Sequence, residues 1–502
     1  MRKLTLEKVN YNHLRICICL LLFSACSSKK TELAWKNSLP RVGSQSSPRV
    51  SDLNGDGVLD IVMGAGENEY QSSDFGILAF DGQTGELLWK HPCTDQVYGS
   101  AAFQDVSGDG TPDVFIGGRG NQFYAIDGKT GQNIWQWQYH HENDPILKYA
   151  RFNFQNAVWV PDQNNDGLQD LLVTCGGNSR AEAYKTADRY PGVLMIFDAK
   201  NGGVIAADTM PDGKEAYMPP LYIEQPDGSQ QIIFGTGGET LDGTLYCSNL
   251  PDLLNKTLSR ARPIASEKGH GYIAPSVAVD INGDGFKDIV SISHGSTITA
   301  VDGKTLKEIW QLNIPDTESS NALAIGQFTG DATPDFFTFV SRGVWPDSKG
   351  SIQILIDGKT GEKVYSNALG CTGFSSPAIY DLNDDGIDEA IISINEYDCE
   401  QGFVSEAKLD ISTRLIAMDF KNNQVQTIDQ QTKFKNIFST PWLGDLDGDG
   451  YLDIVYANYF SPNSSLLAFV GMELKRISSG IKINKPVKWG AYMGTDGNGV
   501  WK

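Results

Sequence analysis

One nine-residue pattern, repeated along the chain, limits the possible folds more than any other feature. In its clearest copy, Asp445 to Asp453, oxygen-bearing side chains stand at positions one, three, five and nine, and Gly450 stands at position six. A glycine there permits a sharp turn, and this spacing suits a hard cation that gathers about six to eight oxygens. The apolar run Ile454 to Ala457 follows at once. The pattern therefore predicts a calcium-binding loop that leads into a β-strand.

Six copies of the pattern have a full set of ligand positions. A single copy could be an Asp/Gly turn that holds no metal, but six in register favour calcium. They are not EF-hands, because they end at position nine without the Glu at position twelve and lead into β-branched residues. The predicted metal ligands are Asp52, Asn54, Asp56 and Asp60; Asp105, Ser107, Asp109 and Asp113; Asp162, Asn164, Asp166 and Asp170; Asp280, Asn282, Asp284 and Asp288; Asp381, Asn383, Asp385 and Glu389; and Asp445, Asp447, Asp449 and Asp453.

The spacing of the copies predicts an all-β fold with radial repetition. Units of about 50 to 60 residues, each with turn signals and short strands, favour one repeated domain over the three domains that length alone suggests. The interval from Asp162 to Asp280 is about twice the usual spacing, so a blade without a metal loop is expected there, with strands at Leu221 to Glu224 and Ile232 to Phe234. A further loop, Gln327 to Asp335, has Ala332 at position six and is not expected to bind metal. The prediction is an eight-bladed β-propeller, with seven blades as the alternative.

A second repeated motif carries a family resemblance. The pattern A-x-D-x-x-T-G-x-x-x-W occurs in full at Ala79 to Trp89 and Ala125 to Trp135, and in part at Ala300 to Trp310 and Asp357 to Tyr365. It resembles the tryptophan-docking motif of quinoprotein (PQQ) dehydrogenase propellers and their non-enzymatic relatives. The nine-residue loops resemble FG-GAP/VCBS repeats, the units of integrin α-subunit propellers. Both resemblances imply a propeller of four-stranded blades.

The N-terminus has the features of a processing segment. Basic residues precede a short apolar run, Ile16 to Phe23, which is far shorter than the roughly 20 residues needed to cross a bilayer. The ending F-S-A-C resembles a bacterial lipobox, which implies lipidation of Cys26. An ordinary cleaved signal with an incidental cysteine is the alternative. We expect a signal peptide at 1–25, a tether at 26–31, a propeller at 32–470, and a Gly- and aromatic-rich tail at 471–502 that packs on or closes the propeller. The protein is expected to be a bacterial outer-membrane lipoprotein that faces the periplasm or the cell surface.

Two structural questions stay open at the level of sequence. The segment E-L-A-W-K from Glu32 reads like the outer strand E-L-L-W-K of the first blade, so it could complete the last blade, or the match could be chance. Cys371 and Cys399 lie on either side of one loop and its following strand, and they are either a disulfide or two small buried hydrophobic residues.

Composition and missing motifs favour a binding or scaffold protein over an enzyme. The net charge of −21 makes nucleic acid an unlikely partner, and much of the acidity lies in the predicted metal ligands. Motifs for serine hydrolases, zinc proteases and phosphate loops do not occur, and the pair His140 and His141 is more consistent with a solvated loop. PQQ is an unlikely cofactor, because the carboxylate clusters belong to the repeats. A polysaccharide lyase or another propeller enzyme, including a quinoprotein-like dehydrogenase, is the alternative.

The strand order predicts where a partner would bind. If each acidic loop joins the first and second strands of a blade, the connections between second and third strands emerge on the opposite face, where most insertions fall. We call this opposite side the insertion face, and the side with the acidic loops the loop face. Aromatic and arginine side chains are enriched at binding hot spots, so the insertion face is predicted to bind an envelope protein or a glycan. The candidates are Tyr70, Arg119, Arg180, Tyr184, Arg189, Tyr190, Arg342, Trp345 and Tyr397.

Overall fold

Eight antiparallel sheets, arranged in chain order, form an eight-bladed β-propeller. This computed structural model describes residues 31–344, 348–371, 373–401, 410–460 and 469–502. The predicted signal peptide, Cys26 and Trp345 lie outside the described residues. Each sheet has four strand positions, and the first strand position lies nearest the ring axis. The predicted all-β, eight-bladed propeller is confirmed.

The first four blades run from residue 49 to residue 267. Blade 1 contains β2 (Arg49–Ser51), β3 (Asp60–Gly64), β4 (Ser73–Phe80) and β5 (Leu87–Cys93). Blade 2 contains β6 (Ala102–Gln104), β7 (Asp113–Gly117), β8 (Phe123–Ile126) and β9 (Asn133–Gln136). Blade 3 contains β10 (Asn153–Phe154), β11 (Val158–Val160), β12 (Asp170–Gly176), β13 (Val193–Phe197) and β14 (Val204–Thr209). Blade 4, predicted as the blade without a metal loop, contains β15 (Leu221–Glu224), β16 (Gln230–Gly235), β17 (Gly243–Asn249) and β18 (Arg262–Glu267).

The last four blades use the rest of the chain and its first strand. Blade 5 contains β19 (Val277–Val279), β20 (Asp288–Ile292), β21 (Thr297–Val301) and β22 (Glu308–Asn313). Blade 6 contains β23 (Thr317–Glu318), β24 (Ala324–Gly326), β25 (Asp335–Arg342), β26 (Ser351–Ile356) and β27 (Lys363–Ala368). Blade 7 contains β28 (Ala378–Tyr380), β29 (Glu389–Glu396), β30 (Ser412–Asp419) and β31 (Gln424–Thr432). Blade 8 contains β32 (Phe434–Lys435), β33 (Trp442–Gly444), β34 (Tyr451–Phe460), β35 (Gly471–Lys482) and β1 (Glu32–Pro40).

Helix is scarce in the described residues. Their one α-helix is α1 (Leu250–Leu254), and short 3-10 turns occupy Leu147–Tyr149, Leu258–Arg260 and Cys399–Gln401. Among these helices, none has the length and apolar character needed to pass through a membrane.

Burial follows from the way the blades pack side by side. The second strands β3 and β12 are buried along their whole length, because a neighbouring blade covers each face of the sheet. The outer strand β5 instead alternates between buried and exposed side chains, because it lies at the rim of the ring. The core is therefore a set of clusters between adjacent blades.

The first strand of the chain closes the ring. Strand β1 pairs antiparallel with β35 along most of its length, which places Glu32–Pro40 as the outer strand of blade 8. This decides between the two sequence interpretations of E-L-A-W-K. Strand β35 also belongs to this sheet, so the predicted propeller boundary at residue 470 is too early. Strand β35 has 12 residues and pairs with both β34 and β1, so blade 8 extends to Lys482.

Tryptophan side chains connect several blades to the next. The indole nitrogens of Trp35, Trp89, Trp135 and Trp310 donate to the carbonyls of Gly82, Gly128, Ala199 and Gly358, at 2.7–2.9 Å, in the turn that precedes the outer strand of the following blade. The ring then lies on the next glycine of that turn, where an added Cβ would meet the indole at about 2.5–2.7 Å. Blade 4 lacks this tryptophan and uses Gln231, whose amide donates to Gly303 at 2.8 Å. The turn of blade 5 accordingly holds Leu306 at the glycine position, with φ 56°.

A belt of small polar side chains joins the blades near the axis. Thr440 Oγ1 accepts from the Ser376 amide, Ser47 Oγ accepts from the Thr440 amide, and Ser100 Oγ accepts from the Ser47 amide. The next link is the amide of Ser100, which donates to Asn156. These residues precede the first strands of five blades, so their hydrogen bonds fix neighbouring blades to one another where backbone pairing cannot reach.

Residues 483–502 fill the axis on the loop face. The amides of Ile379 and Leu443, in the first strands of blades 7 and 8, donate to Trp489 and Gly490. Further along, the buried guanidinium of Arg49 in blade 1 donates to Gly494. Ala278 in blade 5 exchanges backbone hydrogen bonds with the last turns of the segment. Because blades on opposite sides of the ring contact one segment, this tail closes that end of the propeller.

We expect Trp35→Ala to lower the free energy of unfolding by about 3 kcal/mol, because it removes a buried indole from the blade 8 to blade 1 contact. The matched control is Lys36→Ala. The Lys36 side chain is half exposed and forms only a surface ion pair with Glu473, so its loss should cost about 0.5 kcal/mol or less. Denaturant unfolding of both variants measures the difference, and equal stability would refute a closing role for β1.

Candidate functional site

The acidic loops share one backbone conformation. The glycine at position six has positive φ in all six predicted loops: Gly57, Gly110, Gly167, Gly285, Gly386 and Gly450, at 82–91°. An L side chain rarely adopts this conformation, which is the physical reason for glycine there. In the loop of blade 1, the two carboxylate oxygens of Asp52 accept hydrogen bonds from the backbone amides of Gly55 and Gly57. Ala332, at position six in the loop of blade 6, does not have a positive φ. The backbone of this loop therefore differs from that of the other six at the position where alanine replaces glycine.

The carboxylate at position nine lies in the core and ties the loop to the rest of its blade. Asp60 accepts the amide of Leu53 at 2.8 Å and that of Gly82, in the turn after the third strand, at 3.0 Å. Burial raises the pKa of Asp60 to about 6. Asp335, in the loop without a full ligand set, accepts the equivalent amides of Phe328 and Gly358. This carboxylate therefore has a structural role that does not require metal.

Basic side chains reach the acidic loops of blades 7 and 8. Arg476 lies 2.9 Å from Asp453 and 2.5 Å from Asp447, while Lys485 lies 2.8 Å from Asp381. Within the described part of the chain, no Lys or Arg pairs with the ligand positions of the loops in blades 1, 2, 3 and 5. No local sequence pattern indicates this difference, because Arg476 and Lys485 both follow the last acidic loop in sequence and reach Asp453 and Asp381 only through folding.

On the insertion face, loops from different blades come together. The Arg180 guanidinium from blade 3 lies over the Tyr70 ring of blade 1, 4.1 Å from its centroid, and the Tyr70 hydroxyl bonds to Ser179. Arg119 from blade 2 pairs with Glu69 at 2.9 Å. Burial raises the pKa of Glu69, and the neighbouring Arg119 cation offsets part of that rise. Tyr70 and Arg180 are exposed, so this group offers an aromatic and a cationic surface to solvent.

A second group forms between blades 3 and 4. Arg189 pairs with Glu215, whose side chain is fully buried, and so fixes the long insertion of blade 3 to the next blade. Burial raises the pKa of Glu215, and the Arg189 cation opposes that shift. Tyr184 is 66% exposed, and its amide donates to Thr240 of blade 4. Tyr190 stacks on Phe152 and is covered by Arg151, which gives it a packing role.

The remaining candidates lie at blades 6 and 7. Arg342 is exposed and forms a long ion pair of 3.9 Å with Glu400. Tyr397 packs at the edge of a core cluster, and its carbonyl lies beside the sulfur of Cys371. Cys371 and Cys399 form a disulfide, which decides between the two sequence interpretations. The structure thus brings Tyr70, Arg180 and Arg119 together, but it places Arg342 and Tyr397 at other blades.

Sequence reasoning missed the acidic and histidine partners on this face. Glu215 and Glu318 are buried, Glu69 is partly buried, and His270 and His294 lie with their rings 5.6 Å apart. No short motif contains these residues, because each comes from a different connection. Only the predicted strand order could have placed those connections on one face.

Comparison with known proteins agrees with this architecture. The FAM234A/B beta-propeller family matches residues 65–379, from the first blade to the start of the seventh. Protein FAM234B of Gallus gallus is 22% identical over 376 residues, which cover 70% of this chain and 57% of the relative. The Mus musculus protein FAM234B is 20% identical and covers 74% and 60%. The chain thus spans about 60% of the length of these curated relatives.

Solved structures show the same fold at low identity. A europium-containing methanol dehydrogenase is 12% identical, with TM-score 0.55, and the match covers 89% of this chain and 93% of that one. The quinohemoprotein alcohol dehydrogenase of Comamonas testosteroni is 11% identical, with TM-score 0.54 and coverage of 91% and 78%. At such identity the likeness shows the fold alone.

Fold and loops together define a repeat β-propeller whose blades carry acidic first-to-second-strand loops. Because the family match covers more than half of the residues, the chain belongs to the FAM234A/B beta-propeller family.

We expect Arg189→Ala to lower the free energy of unfolding by about 3 kcal/mol or more, because it leaves the carboxylate of Glu215 buried without its cation. Arg342→Ala is the matched control, since both partners in its ion pair are exposed and the expected loss is about 0.5 kcal/mol or less. Denaturant unfolding provides the measurement. If both variants lose the same small amount, Arg189 is not a structural residue and returns to the set of binding candidates.

Proposed function

We propose that this chain is a calcium-stabilised, membrane-anchored propeller that binds a protein or glycan partner through its insertion face. The observation that carries the proposal is the contrast between the two faces. The axis on the loop face is filled by residues 483–502, whereas the insertion face gathers exposed aromatic and arginine side chains from separate blades. A rigid ring that presents side chains on its loops is a common design for recognition.

The calcium part of the proposal rests on the shared loop geometry. All six loops share the glycine conformation at position six, and in the loop of blade 8 the carboxylates of Asp445, Asp447 and Asp453 each offer an oxygen within 4.8 Å of the others. The likeness to FG-GAP/VCBS repeats predicts the same ion. In blades 7 and 8, Arg476 and Lys485 already neutralise part of the loop charge. We therefore expect the loops of blades 1, 2, 3 and 5 to bind calcium more tightly.

Chelation tests the calcium sites. With about 1 mM calcium and a Kd of roughly 0.1 mM, each site adds about 1.4 kcal/mol, so a chelator should lower the Tm substantially. Asp109→Ala should remove part of the calcium-dependent gain. Asp331→Ala is the matched control, because both aspartates accept one backbone amide at 2.8 Å but only Asp109 belongs to a full ligand set. An unchanged Tm in chelator would refute the calcium sites.

Binding assays with variants of each face test the partner surface. We expect Tyr70→Ala and Arg180→Ala to weaken binding about thirtyfold, in a glycan array or in pull-down from a detergent extract of envelope membranes, because aromatic and arginine anchors dominate interfaces. Lys129→Ala and Lys359→Ala, at exposed turns of the loop face, are the matched controls and should bind as the parent chain does. Loss of binding in the lysine variants alone would show that the two faces have been assigned the wrong roles.

The proposed anchor is a lipid on Cys26, at the outer membrane of a bacterium. Two features support this location: the sequence of the N-terminal segment, and a disulfide between Cys371 and Cys399, which is typical of oxidising compartments. The net charge of −21 argues against nucleic acid as the partner. Incorporation of labelled fatty acid into the parent chain but not into Cys26→Ser tests the anchor, and label in the variant would exclude it.

A further inference from the structure

Three side chains from consecutive connections meet on the insertion face. His270 lies between blades 4 and 5, His294 lies just after the second strand of blade 5, and Glu318 lies in the first strand of blade 6. One ligand atom of each lies within 4.8 Å of a ligand atom of each of the others. The cluster is separate from the acidic loops, which are on the opposite face. It also contains imidazole, which those loops lack.

Hydrogen bonds to backbone carbonyls fix the tautomer of both histidines. His270 Nδ1 lies 2.8 Å from the carbonyl oxygen of Glu239, and His294 Nδ1 lies 3.1 Å from that of Ser319. A carbonyl oxygen only accepts, so each Nδ1 must carry the proton. In the neutral ring the lone pair is then on Nε2. Metal-binding histidines are oriented in this way, by a carbonyl or carboxylate that accepts from the other ring nitrogen.

The Nε2 atom of His294 is buried and has no hydrogen-bond partner among the described residues. The side chain is 3% exposed, and its Nε2 lies 3.6 Å from Oε1 of Glu318, which is also 3% exposed. Buried polar atoms nearly always have partners, so an orphan that faces a carboxylate points to a missing third atom. A zinc ion, with ligands at about 2.0–2.2 Å, would place its ligand atoms about 3.3 Å apart, close to the 3.6 Å between His294 Nε2 and Glu318 Oε1.

The backbone around the cluster is rigid. The amide of His294 donates to Gly271 at 2.8 Å, and the carbonyl of His294 accepts from Ser319 at 2.9 Å. These bonds tie the three connections together, so the side chains do not depend on mobile loops for their positions. Glu267 adds a further negative charge, since its carboxylate accepts from Ser293, next to His294.

We propose that His270 Nε2, His294 Nε2 and the Glu318 carboxylate bind one divalent transition-metal ion, of which zinc is the best match. Two imidazoles and a carboxylate favour zinc over calcium, which prefers ligand sets made of oxygen alone. Three protein ligands leave a coordination position open, as in zinc sites that bind water or an exogenous ligand. His270 is only partly buried, so this position is reached from the insertion face. The insertion of blade 3 approaches this side of the cluster, since the Tyr184 amide donates to Thr240, the residue after Glu239, whose carbonyl bonds to His270.

Zinc titration of the purified chain tests the site. The chain is first saturated with calcium, so that the acidic loops are occupied. Zinc is then added in competition with a chromophoric chelator, whose absorbance reports how much zinc the chain has bound. We expect one zinc per chain. Loss of an outer partner of a metal ligand weakens binding about 10- to 100-fold, so loss of a ligand in His294→Ala or Glu318→Gln should weaken it by about 100-fold or more. Cobalt in place of zinc should give a visible absorption band that these variants lack.

Controls separate this site from other histidines and from misfolding. His140→Ala removes an exposed imidazole elsewhere in the chain and should leave zinc affinity unchanged. His270→Ala removes a ligand that is only partly buried, so this variant replaces His294→Ala in the titration if His294→Ala does not fold. The proposal fails if the calcium-saturated chain binds no stoichiometric zinc. It also fails if His270→Ala and Glu318→Gln bind zinc as the parent does, since His294 and Glu318 would then form only an ion pair.

Discussion

Pairing between β1 and β35 is the contact on which the rest of the ring depends. Without it, blade 8 would expose an unpaired edge, and Trp35 could not reach the turn of blade 1. The axial belt also crosses this boundary, through the hydrogen bond from Thr440 to Ser47. A chain that joins its two ends in one sheet holds eight blades in fixed positions. Loops from non-adjacent blades, such as those of Tyr70 and Arg180, can then form one surface.

The loop face combines metal-independent and metal-compatible stabilisation. Asp335 shows that a buried carboxylate can join a loop to its neighbouring turn without a full ligand set, and Arg476 shows that a side chain can supply the positive charge. Such substitutions explain how blades of one ring differ in their loops and keep the same shape. The insertion face has no such uniform geometry, and there each connection brings different chemistry, such as the imidazoles of His270 and His294.

The chain belongs to the FAM234A/B beta-propeller family and is similar in fold to dehydrogenase propellers. Both comparisons describe the propeller ring and not a functional site. A propeller can host binding, catalysis or scaffolding, so function has to be argued from side chains. On this chain the informative groups are an exposed aromatic and arginine pair at blades 1 and 3 and a largely buried histidine and glutamate cluster at blades 4 to 6. Both groups lie on the face that the C-terminal tail leaves open.

The sequence by itself determined the repeat, the strand order and the position of the loops, because turn glycines such as Gly450 and β-branched runs act over a few neighbouring residues. It also marked blade 4, which lacks an acidic loop, by the doubled spacing between Asp162 and Asp280. Tertiary structure alone decided that Glu32–Pro40 closes the ring, that Lys485 reaches Asp381, and that His270, His294 and Glu318 meet. These contacts join residues that are distant in sequence, and no local pattern records them. Their geometry arises only when eight sheets pack around one axis.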